Sequence, residues 1–203
     1  LMGFQALMVA HYIQSDGLKA LLEKMTDMTI GCIEGYAGIG GVDAFMTWED
    51  WGMQSSLQIK IEDFRRFYKP YYARIIEAAH KHGMHFIWHN CGYIVDMFPD
   101  IIELGVDVLQ FDQPRLMGHQ QLINELGGKI CMWNTVDIQW STTSTVSDDD
   151  IRAEVAEMVH VYDFERFKGG FIARHYLQPW DINLNPERQR LIYDAFMMNI
   201  NKD

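Results

Sequence analysis

Basic residues are scarce in this chain. Seventeen Lys and Arg stand against twenty-eight Asp and Glu, a formal net charge of −11. So acidic a chain does not build the basic stripe that a nucleic-acid groove needs. Cysteine is scarce too. Cys32, Cys91 and Cys131 form an odd, widely spaced set, which argues against a secreted disulfide scaffold and leads us to expect a reducing, cytoplasmic setting. No apolar run reaches the roughly 20 residues of a membrane span, and no segment reads as a secretion signal. The first residue is Leu1 rather than Met, so the chain is expected to continue upstream in its natural form. What remains is 203 residues, 48% hydrophobic and 22% charged, the profile of one globular domain with its own core.

A repeated grammar runs through most of that length. From about residue 42, an apolar run is followed by an amphipathic stretch, a glycine and a further apolar run. The runs are Val42–Trp48, His85–Trp88, Val106–Phe111, Ile130–Trp133 and Gly170–Ala173. Runs this short and apolar suit strands covered on both faces. Between them, Glu62 to His82 places Phe64, Phe67, Tyr68, Tyr71 and Ile75 on one helical stripe and stops at Gly83. Val95 to Leu104 stops at Gly105, and Gly118 to Leu126 stops at Gly127. Ser147 and Asp150 have capping-box spacing, and Asn185-Pro186 opens the last helix. Upstream, Ser15 to Met25 reads as helix, followed by a looser glycine-rich stretch. Strands alternating with helices indicate parallel βα units. Residues 1–203 are thus expected to form one α/β domain. Five strands fit either part of a (β/α)8 barrel, which needs eight strands and about 250 residues, or an open doubly wound sheet. Periodicity alone leaves both open.

In either fold, ligands bind at the C-terminal ends of the strands, and here each run ends in polar residues. Glu49, Asp50 and Gln54 follow the first; His89, Asn90 and Cys91 the second; Asp112 and Gln113 the third; Asn134, Asp137 and Gln139 the fourth; His175, Tyr176 and Gln178 the fifth. Each alone reads as readily as a solvated or capping residue. His89 and Cys91 carry more weight as a pair. Residues i and i+2 of an extended segment point the same way, so an imidazole and a thiolate there reach one zinc ion. Candidates for a further ligand are His175, Glu49 and Cys131, although Cys131 sits early in an apolar run, where a small buried hydrophobe is the blander reading. His175 is alternatively a proton donor or acceptor, and Glu49 and Asp50 are candidate acid–base or anchoring groups. Gln54, Asp112, Gln113, Asn134 and Tyr176 are the candidate substrate-binding residues. His80, His82, His85 and His160 fall on helices or flanks and read as structural.

At these strand ends the sequence resembles the uroporphyrinogen decarboxylase superfamily, which includes corrinoid-dependent methyltransferases. The matching stretches are EDWGMQ at 49–54, HNCG at 89–92, ELGVDVLQFDQP at 103–114, GGKICMWNTVDIQ at 127–139 and GGFIARHYLQPWDINLNPE at 169–187. The resemblance implies a (β/α)8 barrel of TIM type, of which this chain supplies about five βα units, strands four to eight. Zinc methyltransferases of the superfamily are similar to it at His89 and Cys91, which match their His-x-Cys pair. Their further cysteine ligand lies near the last strand, where this chain reads Ala-Arg-His-Tyr and His175 is the nearest substitute. Uroporphyrinogen decarboxylases themselves have a histidine near the last strand that matches His175. Their arginine-rich, substrate-binding N-terminal segment has no counterpart here.

The function the resemblance implies is zinc-dependent methyl transfer between a corrinoid carried on a partner protein and a thiol or other small acceptor, with His89, Cys91 and His175 on the metal and Glu49 completing or neutralising the site. One alternative is metal-free decarboxylation of an acidic substrate, with His175 moving the proton and Asp50 holding a cationic or N–H-bearing group. The other is a truncated, non-catalytic homologue that serves as a partner in an assembly. Five strands cannot close an eight-stranded barrel. Two open edges are therefore expected, covered by N-terminal units or by a second copy in a homo-oligomer.

Overall fold

The computed structural model describes residues 3–13, 15–163, 170–176 and 178–200. Each of the five apolar runs forms a strand. These are β1 (Ala44–Glu49), β2 (His85–Asn90), β3 (Val108–Phe111), β4 (Cys131–Asn134) and β5 (Phe171–Ala173). They lie in chain order, β1-β2-β3-β4-β5, and β2 through β5 pair in parallel. The edges of the sheet are therefore β1 and β5. The chain divides into two compact units, residues 1–45 with 59–86 and residues 46–58 with 87–203.

The first unit is helical except at its strand ends. Helix α1 (Phe4–Tyr12) sets His11 against the rings of Phe67 and Tyr68, at 5.1 and 5.9 Å between centroids. Helix α2 spans Asp16–Ile39, well beyond the expected Met25, and α1 is a helix the sequence pattern did not suggest. Gly31, Gly35 and Gly38 lie inside α2, at a cost of about 1 kcal/mol each relative to alanine. Burial of Leu18, Thr26 and Ile33 offsets that cost, as does packing on α4 (Lys69–Lys81). Arg74 of α4 reaches Glu23 and Asp27 of α2 at 2.6 and 2.8 Å. The expected single helix from Glu62 to His82 is two, α3 (Ile61–Phe67) and α4, parted at Tyr68. Pro70 is the cause: it has no N–H to donate, and it disfavours helical geometry at the residue before it.

The second unit holds the strand ends. Its helices are α5 (Phe98–Glu103), α6 (Pro114–Met117), α7 (His119–Leu126), α8 (Asp148–Val161) and α9 (Pro186–Ile200). The expected helix from Val95 begins as a 3₁₀ turn at Val95–Met97. Ser147 and Asp150 form the capping box at the start of α8, and the Asn185 side chain accepts from the Arg188 N–H at 2.7 Å. In a parallel sheet, in-register partners share a face. Trp88, Leu109, Met132 and Phe171 are one such row. The first three are almost wholly buried, and Phe171 meets Tyr162 and Phe196 at 5.0 and 6.1 Å. The opposite face carries Ile87, His89, Val108, Gln110, Cys131, Trp133 and Ile172. Its apolar members are half-buried, and Ile172 is 44% exposed. One face thus makes the apolar core, while the other, which lines the interior in a closed barrel, is open and polar toward the strand ends. No described helix is long and apolar enough to cross a membrane.

Candidate metal centre

The end of β2 reads His89-Asn90-Cys91. Strand alternation sends the imidazole and the thiol the same way, and Cys91 Sγ lies 3.4 Å from His89 Nε2. The residue after β1 joins them: an Asp50 carboxylate oxygen is 3.6 Å from the same nitrogen. The ligand atoms of Asp50, His89 and Cys91 all lie within 4.8 Å of one another. The His89 side chain is buried and that of Asp50 is 66% exposed, so the cluster opens to solvent on the carboxylate side. The ring of Trp48 lies 4.8 Å from that of His89.

Backbone contacts between two loops bring Asp50 there. Gly52 N donates to Cys91 O at 3.0 Å and Tyr93 N donates to Met53 O at 2.7 Å. The Trp51 N–H donates to the Asn90 side chain at 3.2 Å, and the Gly92 N–H donates to Gln113 Oε1 at 2.8 Å. The chains approach so closely that a Cβ on Gly52 would stand 2.5 Å from the Gly92 carbonyl carbon. One on Gly92 would stand 2.3 Å from that of Gly52. Gly92 also has φ 81°, in the left-handed region. The glycines of EDWGMQ and HNCG are what let the Asp50 loop lie against the His89-Cys91 loop.

Behind the imidazole runs a line of buried polar groups. His89 Nδ1 meets Gln110 Oε1, Gln110 Nε2 donates to Asp112 Oδ1 at 2.8 Å, and Asp112 pairs with the Arg174 guanidinium. All four residues are more than nine-tenths buried. Burial first, then the charges of Asp50 and Asp112, push the Cys91 thiol up to about 12; Arg174 opposes them. Without a further cation the thiol stays protonated at neutral pH. A coordinated metal reverses that logic, because it deprotonates a bound thiol outright.

The structure distributes the other candidate residues unevenly. Glu49 is half-buried and accepts from Thr47 Oγ1 at 3.0 Å. Gln54 is exposed. Gln113 is buried and spent on Gly92, and Asn134 is buried at the end of β4. Tyr176 is half-buried with the Arg174 guanidinium 5.6 Å from its ring centre, and burial, then Asp112, raises its phenol. His175 is exposed and stands outside the metal-ligand cluster. Its neighbour Arg174 turns inward instead, as alternation along an extended segment requires. Among the described residues, the donor whose ligand atom lies within 4.8 Å of those of His89 and Cys91 is Asp50; His175, Glu49 and Cys131 are not in that group. Sequence reasoning passed over Gln110 and Arg174. The available signal was a polar side chain inside each of two otherwise apolar runs, Val-Leu-Gln-Phe and Phe-Ile-Ala-Arg.

Comparison with known proteins bears on the fold and the family. No curated protein sequence matches the chain. A solved structure, a methyltransferase from Methanosarcina mazei, superimposes with a TM-score of 0.69 at 16% identity, covering 96% of this chain and 53% of that one. The chain therefore spans about half that neighbour's length and shares its fold, with five parallel strands of a TIM-type barrel. The family model described as Uroporphyrinogen decarboxylase (URO-D) matches residues 1–174. With that match over most of its length, the chain belongs to the uroporphyrinogen decarboxylase family.

Proposed function

We propose that this chain carries the metal centre of a zinc-dependent methyltransferase, one that moves a methyl group between a corrinoid on a partner protein and a thiol or other small acceptor. The convergence of His89 Nε2, Cys91 Sγ and the Asp50 carboxylate carries the proposal. Imidazole, thiolate and carboxylate are all zinc donors, and three protein ligands with one open position make a catalytic rather than a structural site. Bonds of about 2.0 Å to nitrogen and 2.3 Å to sulfur in a tetrahedral site separate those two atoms by about 3.5 Å; the observed separation is 3.4 Å. The donor set therefore fits zinc.

A zinc ion held there supplies Lewis acidity that keeps a substrate thiol as its thiolate at neutral pH. The chain's own residues prepare the place. His89 offers a ring nitrogen without displacing a protein partner, since its other nitrogen holds Gln110. Cys91 gives up its proton, and Asp50 adds a second negative charge on the side open to solvent. Trp48 walls the imidazole from one side. The methyltransferase named as the structural neighbour accords with this reading, and His175, on which the decarboxylase alternative depends, lies exposed outside the cluster. Zinc analysis and competition titration of the purified chain test the proposal. We expect one zinc per wild-type chain, none retained by Cys91→Ser, and affinity about 10- to 100-fold weaker in Asp50→Asn, a range typical of an altered ligand shell. A wild-type chain without affinity for zinc, or Cys91→Ser with full occupancy, overturns it.

A further inference from the structure

No hydrogen bond or ion pair among the described residues joins Gln110, Asp112 or Arg174 to Cys91 or Asp50, yet the three are buried in one line that ends on the back of His89. We propose that Gln110 is a positioning residue that holds His89 as its Nδ1–H tautomer, and that Arg174 acts on His89 only through Asp112 and Gln110. The consequence for zinc rests on the reading above. The tautomer rests on the hydrogen bonds alone.

The direction of the line is set at its far end. Asp112 is a buried carboxylate paired with a buried guanidinium, and an ionised carboxylate only accepts. The Gln110 side chain has one donating and one accepting end. It must therefore turn its NH2 to Asp112, as the 2.8 Å bond shows, and its oxygen to His89. The opposite orientation would bring the amide oxygen against the carboxylate oxygen in a space closed to water. An amide oxygen only accepts as well, so Nδ1 must carry the proton. In a neutral ring that leaves Nε2 with the lone pair, and Nε2 is the atom facing Cys91 and Asp50. A free neutral histidine favours the other tautomer, in which Nε2 bears hydrogen and cannot ligate. The register supplies the geometry: His89 and Gln110 are in-register partners of β2 and β3, side by side on the open face. Asp112 follows two residues on, pointing the same way, and Arg174 reaches it from just past β5.

A metal-ligating histidine commonly has its second nitrogen fixed by an outer partner, and loss of that partner weakens metal binding about 10- to 100-fold. Here the partner is a neutral amide, whose direction is set by an ion pair one step further out. Removing Arg174 takes away the buried cation that holds the Asp112 carboxylate in place, so the acceptor that orients the amide is no longer fixed.

Two measurements on the full chain decide this. The first needs no metal: multiple-bond 15N–1H correlation of the imidazoles in metal-free protein above the histidine titration range, with His89 assigned from His89→Asn. We expect Nδ1–H in wild type, Nε2–H in Gln110→Met, and Nδ1–H restored in Gln110→Glu, whose protonated carboxyl oxygen donates to Asp112 while the other accepts at Nδ1. The second is zinc affinity. We expect Gln110→Met and Arg174→Met each to weaken binding about 10- to 100-fold, with the double variant no weaker than the worse single one. A wild-type ring in the Nε2–H form overturns the inference, as does unchanged zinc affinity in Gln110→Met. Additive losses in the double variant overturn the part assigned to Arg174. If Gln110→Met does not fold, the wild-type tautomer and Gln110→Glu still decide it. A wild-type chain that shows Nδ1–H but binds no zinc overturns the metal reading and leaves the tautomer standing.

Discussion

His89 and His119 lie in the same unit and are buried to the same degree, 6% exposed each, yet their rings are used differently. His119, at the start of α7, has both nitrogens occupied by protein: Nδ1 meets the Tyr162 hydroxyl at 2.7 Å and Nε2 meets Glu154 Oε1 at 2.8 Å. The other Glu154 oxygen takes the Arg115 guanidinium, which lies 4.4 Å over the Trp140 ring. Nothing on that imidazole is left to offer. His89 has one nitrogen taken from behind by Gln110, while the other faces a thiol and a half-exposed carboxylate. Burial therefore does not mark a site histidine; a nitrogen free to take a ligand, turned toward further donors, does. The first cluster ties α7 to α8 and serves stability. The second turns one ring nitrogen toward two further donors.

Damage to the closed cluster tests whether the two histidines act separately, when stability and zinc affinity are both read. Glu154→Ala leaves His119 Nε2 without its buried partner and strips Arg115 of its anion. Arg115 is 43% exposed, so its share is screened by solvent. The buried His119 contact dominates, and the expected loss is roughly 3 kcal/mol of stability, read by urea unfolding. Zinc affinity of the folded protein should stay within about twofold of wild type, because among the described residues no hydrogen bond or ion pair joins His119, Glu154 or Arg115 to Gln110, Asp112 or Arg174. A variant with normal stability and weakened zinc binding would show that the two histidines are not separate devices.

A smaller effect separates them by pH. Burial and two carboxylates push the Cys91 thiol up to about 12, so at neutral pH zinc must displace its proton. The bound form holds one proton fewer, and raising the pH favours it. Affinity should rise about tenfold per unit as the pH is raised from roughly 7 to 8.5, one proton being released on binding. Competition titration at several pH values, with proton release followed in weakly buffered solution, measures the slope. A flat profile would mean that Cys91 does not ligate, or that its thiol is already ionised in the free protein.

What the sequence made legible follows from the range of the forces involved. Strands covered in a parallel sheet read as short apolar runs, and all five began and ended within about two residues of the expected bounds, β2 running on through His89 and Asn90. The Ser147 capping box and the Asn185-Pro186 helix start are local chemistry and were found as such. The length of α2 was not legible, because its glycines argue locally for a break and only packing on α4 outweighs them. Gln110 was not legible because its importance lies in register: residue 110 stands beside residue 89 only once β2 and β3 are paired. Asp50 was singled out, but as an acid–base or anchoring group. Its approach to Cys91 depends on two loops meeting at Gly52 and Gly92, a contact no spacing rule encodes.

The choice between His175 and Asp50 gives the smallest expected effect and the most direct test of phase. Along an extended segment, neighbours face opposite ways, so Arg174 and His175 cannot both turn toward Asp112. The buried pairing of Arg174 with Asp112 settles which one does, and His175 is left exposed. His175→Ala should therefore leave zinc affinity within about twofold and stability within about 0.5 kcal/mol of wild type, the range of an ordinary surface substitution. Arg174→Met, one residue earlier, should weaken zinc about 10- to 100-fold through the line to His89. Competition titration of the two single variants side by side reads the contrast directly. If His175→Ala lost zinc and Arg174→Met did not, the segment after β5 would have the opposite phase in the metal-bound protein. The fifth strand would then supply a ligand in place of the support behind one.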